Sequence, residues 1–177
     1  KRQADGPEVI DFHGDTETPP AISVPAPTYD ILSIDYEQAL SAEGARQLVV
    51  TLKVANMPSV PANASWRAYF ALGGAVPDKG ARYFVEATTD IDVAGGAPAF
   101  LFGTAGRLNS GAIADTRQGN ANGGAIVPGA PGTIQVRIDL AKVGAPAAGT
   151  QLHGTMGRAR AAIDNSRFVL DRTRGGS

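Results

Sequence analysis

Residues 48–55 read Leu-Val-Val-Thr-Leu-Lys-Val-Ala, so Leu48, Val50, Leu52 and Val54 share one side of an extended chain. Val49, Thr51, Lys53 and Ala55 take the other side. A helix would scatter these residues around its circumference, whereas a pleated strand with its period of two lines them up. The same rhythm recurs along the chain. Leu32, Ile34 and Tyr36 alternate with Ser33 and Asp35, and Trp66, Ala68, Phe70 and Leu72 alternate with Arg67, Tyr69 and Ala71. Tyr83, Val85 and Ala87 alternate with Phe84 and Glu86; Ile134, Val136, Ile138 and Leu140 alternate with Thr133, Gln135, Arg137 and Asp139. No segment sustains the i, i+3, i+4, i+7 apolar pattern of an amphipathic helix, which argues against a βαβ architecture.

The breakers between these runs are frequent. The 177 residues include 22 Gly and 12 Pro, well above the usual ~12% for the two together. Pro7, Pro19, Pro20, Pro25 and Pro27 make the first stretch an extended lead with at most one short strand at 8–12. Residues 38–46 form a hairpin turn or one helical turn, 90–96 a loop, 119–124 a turn, and 139–144 a single helical turn. Shorter strands are expected at 100–103, paired with 111–116, and at 152–162 and 168–170. The expected fold is an all-β antiparallel sandwich, jelly-roll or immunoglobulin-like, of about eight or nine strands. One domain spans 29–171, with the lead 1–28 packed on it and a tail or linker at 172–177. The opening residues read as the start of a mature or excised segment rather than as a signal peptide.

Composition removes several functions. Sixteen Lys and Arg against seventeen Asp and Glu leave a net charge of -1, which supplies no general field for nucleic acid. With no Cys, disulfides, thiolate metal sites and Cys nucleophiles are excluded. No apolar run reaches the ~20 residues of a membrane helix. No nucleophile elbow, zinc-protease helix, dinucleotide fingerprint or phosphate loop occurs.

Three sets of residues carry candidate chemistry. In an extended segment Asp11, His13 and Asp15 project to one side, and the two carboxylates are hard oxygen ligands suited to calcium, with Asp30 or Asp35 available to complete the shell. The same residues also read as a turn, with Asp15 capping backbone amides; Asp90 and Asp92 read as solvated turn acids. His153 with Met57 or Met156 raises a haem-ligand reading, although alternation puts His153 on the opposite face from Leu152 and Met156. Among the aromatics Trp66, Tyr69, Tyr83 and Phe100 are candidates for stacking on sugar rings. Trp66 is in phase with the core residues Phe70 and Leu72, so Tyr69, on the other face, is the better surface candidate.

The opening Val9-Ile10-Asp11-Phe12-His13-Gly14-Asp15, followed after a Pro-rich gap by Tyr29-Asp30-Ile31-Leu32-Ser33-Ile34 and Leu48-Val49-Val50-Thr51-Leu52, resembles that of the DOMON-like β-sandwich domains. These include the glucodextranase C-terminal type and the related family 9 carbohydrate-binding modules. The resemblance implies a secreted or surface-attached bacterial accessory domain without catalysis of its own, appended to a parent catalytic domain. It implies calcium near the opening motif, carried onto Asp11, Asp15 and Asp30. A polysaccharide or surface glycan is the expected ligand, bound through Tyr69, Trp66 and Tyr83. The alternatives are a structural spacer that pairs its edges with neighbouring copies, and a haem-binding DOMON-type cytochrome.

Overall fold

The computed structural model describes residues 9–11, 26–73, 81–106, 115–163 and 166–174. Its strands are β1 (Val9–Ile10), β2 (Ile31–Leu40), β3 (Arg46–Val54), β4 (Ala64–Leu72), β5 (Ala81–Thr88) and β6 (Ala99–Ala105). They continue with β7 (Asp115–Asn120), β8 (Gly123–Val127), β9 (Gly132–Asp139), β10 (Leu152–Ile163) and β11 (Ser166–Arg174). Two antiparallel sheets result. One runs β1-β2-β3-β9-β8 and the other β11-β10-β4-β5-β6-β7, so the molecule is the all-β sandwich that the alternation requires.

The alternating rows meet between the sheets. Ile34, Val50, Leu52, Ile134, Val136 and Ile138 from the five-stranded sheet face Trp66, Ala68, Phe70, Val85, Ala87 and Ala159 from the six-stranded one. Each fully buried Val, Leu, Ile or Phe among them contributes roughly 1.5–3 kcal/mol. Trp66 lies at the centre, its indole donating to the Thr28 carbonyl at 3.2 Å and its ring stacked on Tyr29 at 6.0 Å. Polar bonds also join the layers: the Tyr36 hydroxyl donates to the Tyr69 carbonyl at 2.8 Å, and the Ile31 amide donates to the Asp171 carboxylate at 2.7 Å.

The strand count exceeds the expectation because 119–124 is not one long turn. Strand β7 runs to Asn120 and β8 begins at Gly123, so only Ala121 and Asn122 cross between the sheets. Gly124 sits where a Cβ would strike the Gln135 carbonyl and the Phe100 ring; it permits close packing rather than a bend. Residues 38–46 are a hairpin, with Ser41 Oγ accepting from the amides of Glu43 and Ala45. Residues 90–96 contain a single helical turn, α1 (Ile91–Ala94), capped by the Asp90 side chain. Asp90 also pairs with Arg167 at 2.9 Å. The single helical turn expected at 139–144 is a 3-10 turn, Leu140–Val143, closed by Gly144. Strand β11 runs past residue 171 through the buried Thr173. Among the described residues no helix is long and apolar enough to cross a membrane.

Candidate functional site

The outer face of the six-stranded sheet, turned away from the core, is where the chemistry collects. Strand alternation places Ser65, Arg67, Tyr69 and Ala71 of β4 on this face. Register sets Arg67 between Glu86 of β5 and Arg158 of β10. Tyr69 lies between Phe84 and Met156 on those strands, and Ser65 between Thr88 and Arg160. A sheet face open to water would leave these residues exposed, yet every residue from Ala64 to Ala71 is buried.

The cover comes from the β6–β7 hairpin. In a flat sheet β7 would lie about 14 Å from β4, three strand spacings away. Instead Asp115 of β7 bonds directly to β4, so the hairpin curls back over the outer face. Its register shifts between Phe102 and Gly103. At Gly103 any Cβ would meet the Thr116 carbonyl and the Phe84 ring, so only glycine allows β7 this close.

Two carboxylates organise the cluster. Asp115 Oδ2 accepts from Arg67 Nη1 at 2.5 Å, from the Tyr69 hydroxyl at 2.6 Å and from Arg158 Nη2 at 2.6 Å. Arg160 approaches the same oxygen at 3.7 Å. Glu86, with no exposed side-chain surface, accepts from Arg67 at 3.1 Å, from Arg117 at 2.8 and 3.0 Å, and from the Ser65 hydroxyl at 2.5 Å. The guanidinium of Arg67 lies 4.5 Å over the Phe84 ring and that of Arg158 lies 5.2 Å over Tyr69. Such stacking suits the planar, weakly hydrated guanidinium.

Electrostatics follow from burial and from this pairing. Burial alone would raise the Glu86 carboxyl, but the Arg117 hydrogen bonds, the Arg67 charge and the Ser65 hydroxyl outweigh it and hold the group at about 2. Burial pushes the Tyr69 phenol up. The Arg158 and Arg160 guanidiniums are pulled below their ordinary value, first by burial and then by the neighbouring positive charges, Arg67 among them. Glu86 is therefore an anion at neutral pH, fixed among its hydrogen-bond donors.

A cavity of about 200 Å³ adjoins the cluster, lined by Tyr69, Phe70, Arg82, Ala105, Gly106, Gly154 and Met156. It opens where β10 bulges between His153 and Met156. Gly154, at φ +57, absorbs that bulge with nothing within 4 Å of where its Cβ would be. The bulge also corrects the alternation reading of β10. His153 pairs with Ala71 and Met156 with Tyr69, and since Ala71 and Tyr69 share a face, His153 and Met156 do too.

The residues singled out from sequence are dispersed. Trp66 is completely buried in the core and has no ring face to offer a sugar. Tyr83 is half-buried and stacked on Phe70 at 5.9 Å. Tyr69 does occupy the outer face, but the curled hairpin leaves it 4% exposed, so it borders the cavity instead of forming an open platform. Met57 is buried beside Gly129. Asp11 donates its amide to the Leu32 carbonyl at 3.0 Å, which brings it alongside the start of β2, and Asp30 is buried just before that strand. His13 and Asp15 lie outside the described residues. Among the described residues no three acids or imidazoles gather as a metal group.

Arg67, Glu86, Asp115, Arg117, Arg158 and Arg160 escaped the sequence reading. The available signal was charge inside apolar strands: Arg67 between Trp66 and Ala68, Glu86 between Val85 and Ala87, and the alternating Arg158 and Arg160. Asp115 gave no such signal, because its role depends on the curl of a hairpin. In comparisons with protein-family models, curated proteins and solved structures, nothing was found to match this chain.

Proposed function

We propose that this chain is a non-catalytic accessory or binding module of an extracytoplasmic bacterial protein, and that its ligand is a carbohydrate or another cell-surface polymer. The observation that carries the reading is the outer face of the six-stranded sheet, where an aromatic-edged cavity of about 200 Å³ abuts a fixed cluster of charged hydrogen-bonding groups. The cavity is smaller than the ~300–1,000 Å³ of sites that engulf drug-sized ligands, which suits a single sugar unit or a chain end. Because the site lies on paired strands rather than on loops, it is held rigidly enough to recognise shape. The resemblance to DOMON-like domains and family 9 carbohydrate-binding modules agrees with this reading and supplies the expectation of a parent catalytic domain.

A glycan array followed by calorimetry tests the proposal. Binding to at least one polysaccharide, weakened by Tyr69→Ala, is expected; no binding to any polysaccharide would remove it. Calcium stays part of this reading through Asp11, Asp15 and Asp30. A specific ion at a hundredfold excess over its Kd would stabilise the fold by about 2.7 kcal/mol, and an unchanged melting curve would leave Asp11 and Asp15 as turn residues.

A second reading, a spacer that pairs with neighbouring copies, draws on β8. This short edge strand of the five-stranded sheet is Gly-Gly-Ala-Ile-Val, without charge, and its Val127 is 53% exposed. Uncharged edges of this kind invite pairing. A strict monomer by light scattering at high concentration would count against it.

A further inference from the structure

We infer that the outer-face arginine cluster is the recognition site for an acidic sugar, with Arg160 and its neighbour Arg158 taking the carboxylate of a uronic acid unit. This deepens the binding-module reading and rests on it. Within the cluster, counted among the described residues, four guanidiniums, Arg67, Arg117, Arg158 and Arg160, meet two carboxylates, Glu86 and Asp115, which leaves two positive charges in excess. Such an excess is unfavourable in a low-dielectric setting unless an anion joins it.

The excess is also short of acceptors. Arg158 and Arg67 have side chains only 8% and 6% exposed, and the Nε of each has no hydrogen-bond partner. Arg160 has an unpartnered Nε as well, and its ion pair with Asp115, at 3.7 Å, is longer than a hydrogen bond. Its side chain is 20% exposed; Arg117 is more exposed at 37% but is held by both oxygens of Glu86, so Arg160 is the reachable member without a close carboxylate of its own. Asp115 Oδ1 is buried without a donor, and a hydroxyl would satisfy it. An anion with adjacent hydroxyls is the description of a sugar acid.

A planar carboxylate is favoured over a tetrahedral anion because this face already binds carboxylates by planar forks: Arg117 grips both oxygens of Glu86.

The test is titration calorimetry of the whole chain with oligogalacturonate, its methyl ester, a neutral oligosaccharide of equal length, and dextran sulfate. Oligogalacturonate is expected to bind, with affinity reduced at least tenfold by methyl esterification and by Arg160→Gln, while the melting temperature of that variant holds or rises as repulsion is relieved. Should Arg160→Gln fail to fold, Arg160→Lys keeps the charge, loses the fork, and is expected to weaken binding severalfold. Neutral and acidic oligomers binding alike, insensitive to both variants, would overturn the inference and leave the binding-module reading standing. Dextran sulfate binding as tightly as oligogalacturonate, unaffected by the variants, would overturn it as unspecific attraction of polyanions. No saccharide binding at all would end both.

Discussion

Glu86 ionises very differently in the folded and the unfolded chain. Held at about 2 in the fold against ~4.3 unfolded, it is a depressed carboxylate. Its contribution is therefore complete above the unfolded value and lost as pH falls through the folded one. That difference is worth about 3 kcal/mol, lost between about pH 5 and pH 2. Glu86→Gln takes from Arg117 its carboxylate partner and leaves Arg67 with Asp115 alone, and at pH 7 it is expected to cost about 3–5 kcal/mol. Urea melts at stepped pH should show the gap between wild type and variant closing toward pH 2; a gap independent of pH would contradict this assignment. The reach of sequence reasoning at this scale is clearest in one strand. Trp66 and Tyr69 were assigned to their correct faces by alternation, because period-two geometry is local. That Tyr69 would be covered was not legible, since its cover comes from a hairpin about 45 residues further along the chain.

Elements were legible where packing enforces an apolar row on one face. Strands β3 and β9 pair in register from Gln47↔Asp139 to Val54↔Gly132, and both stood out in the sequence. Strand β8 did not, and β7 only at its start, because Gly119, Gly123 and Gly124 look like turn formers, although Gly124 serves close approach, as Gly103 of β6 does. Gly103 makes the point testable. Gly103→Ala must push the Phe84 ring and the Thr116 carbonyl apart, and overpacking of this kind costs about 1–3 kcal/mol. The β6–β7 hairpin should then lift from the outer face, seen as faster hydrogen exchange at Phe84 to Glu86; unchanged exchange and stability would show that the hairpin has room. Ser41→Ala, which deprives two turn amides of their acceptor, is expected to lower stability by only about 1 kcal/mol, since those amides can turn to water. A denaturant midpoint shift several times larger would mean that the turn sets the register of β2 against β3.

For the whole molecule, two sheets around one core explain why a chain rich in Gly and Pro folds without disulfides. The fold class followed from the alternating rows. The candidate site did not, because it joins residues from β4, β5, β7 and β10 through a curl that no local pattern announces. The same curl divides the molecule chemically, giving it an apolar interior between the sheets and a charged second layer outside the larger one. If function resides in that second layer, the contact surface is fixed in advance. Backbone amide shifts of the labelled chain, titrated with oligogalacturonate, measure this directly. The expected result is perturbation confined to Tyr69, Arg82, Met156, Arg158, Arg160 and the residues beside them. Perturbation centred on the five-stranded sheet or on the hollow between Val60, Ile91 and Pro98, with the outer face silent, would contradict the account.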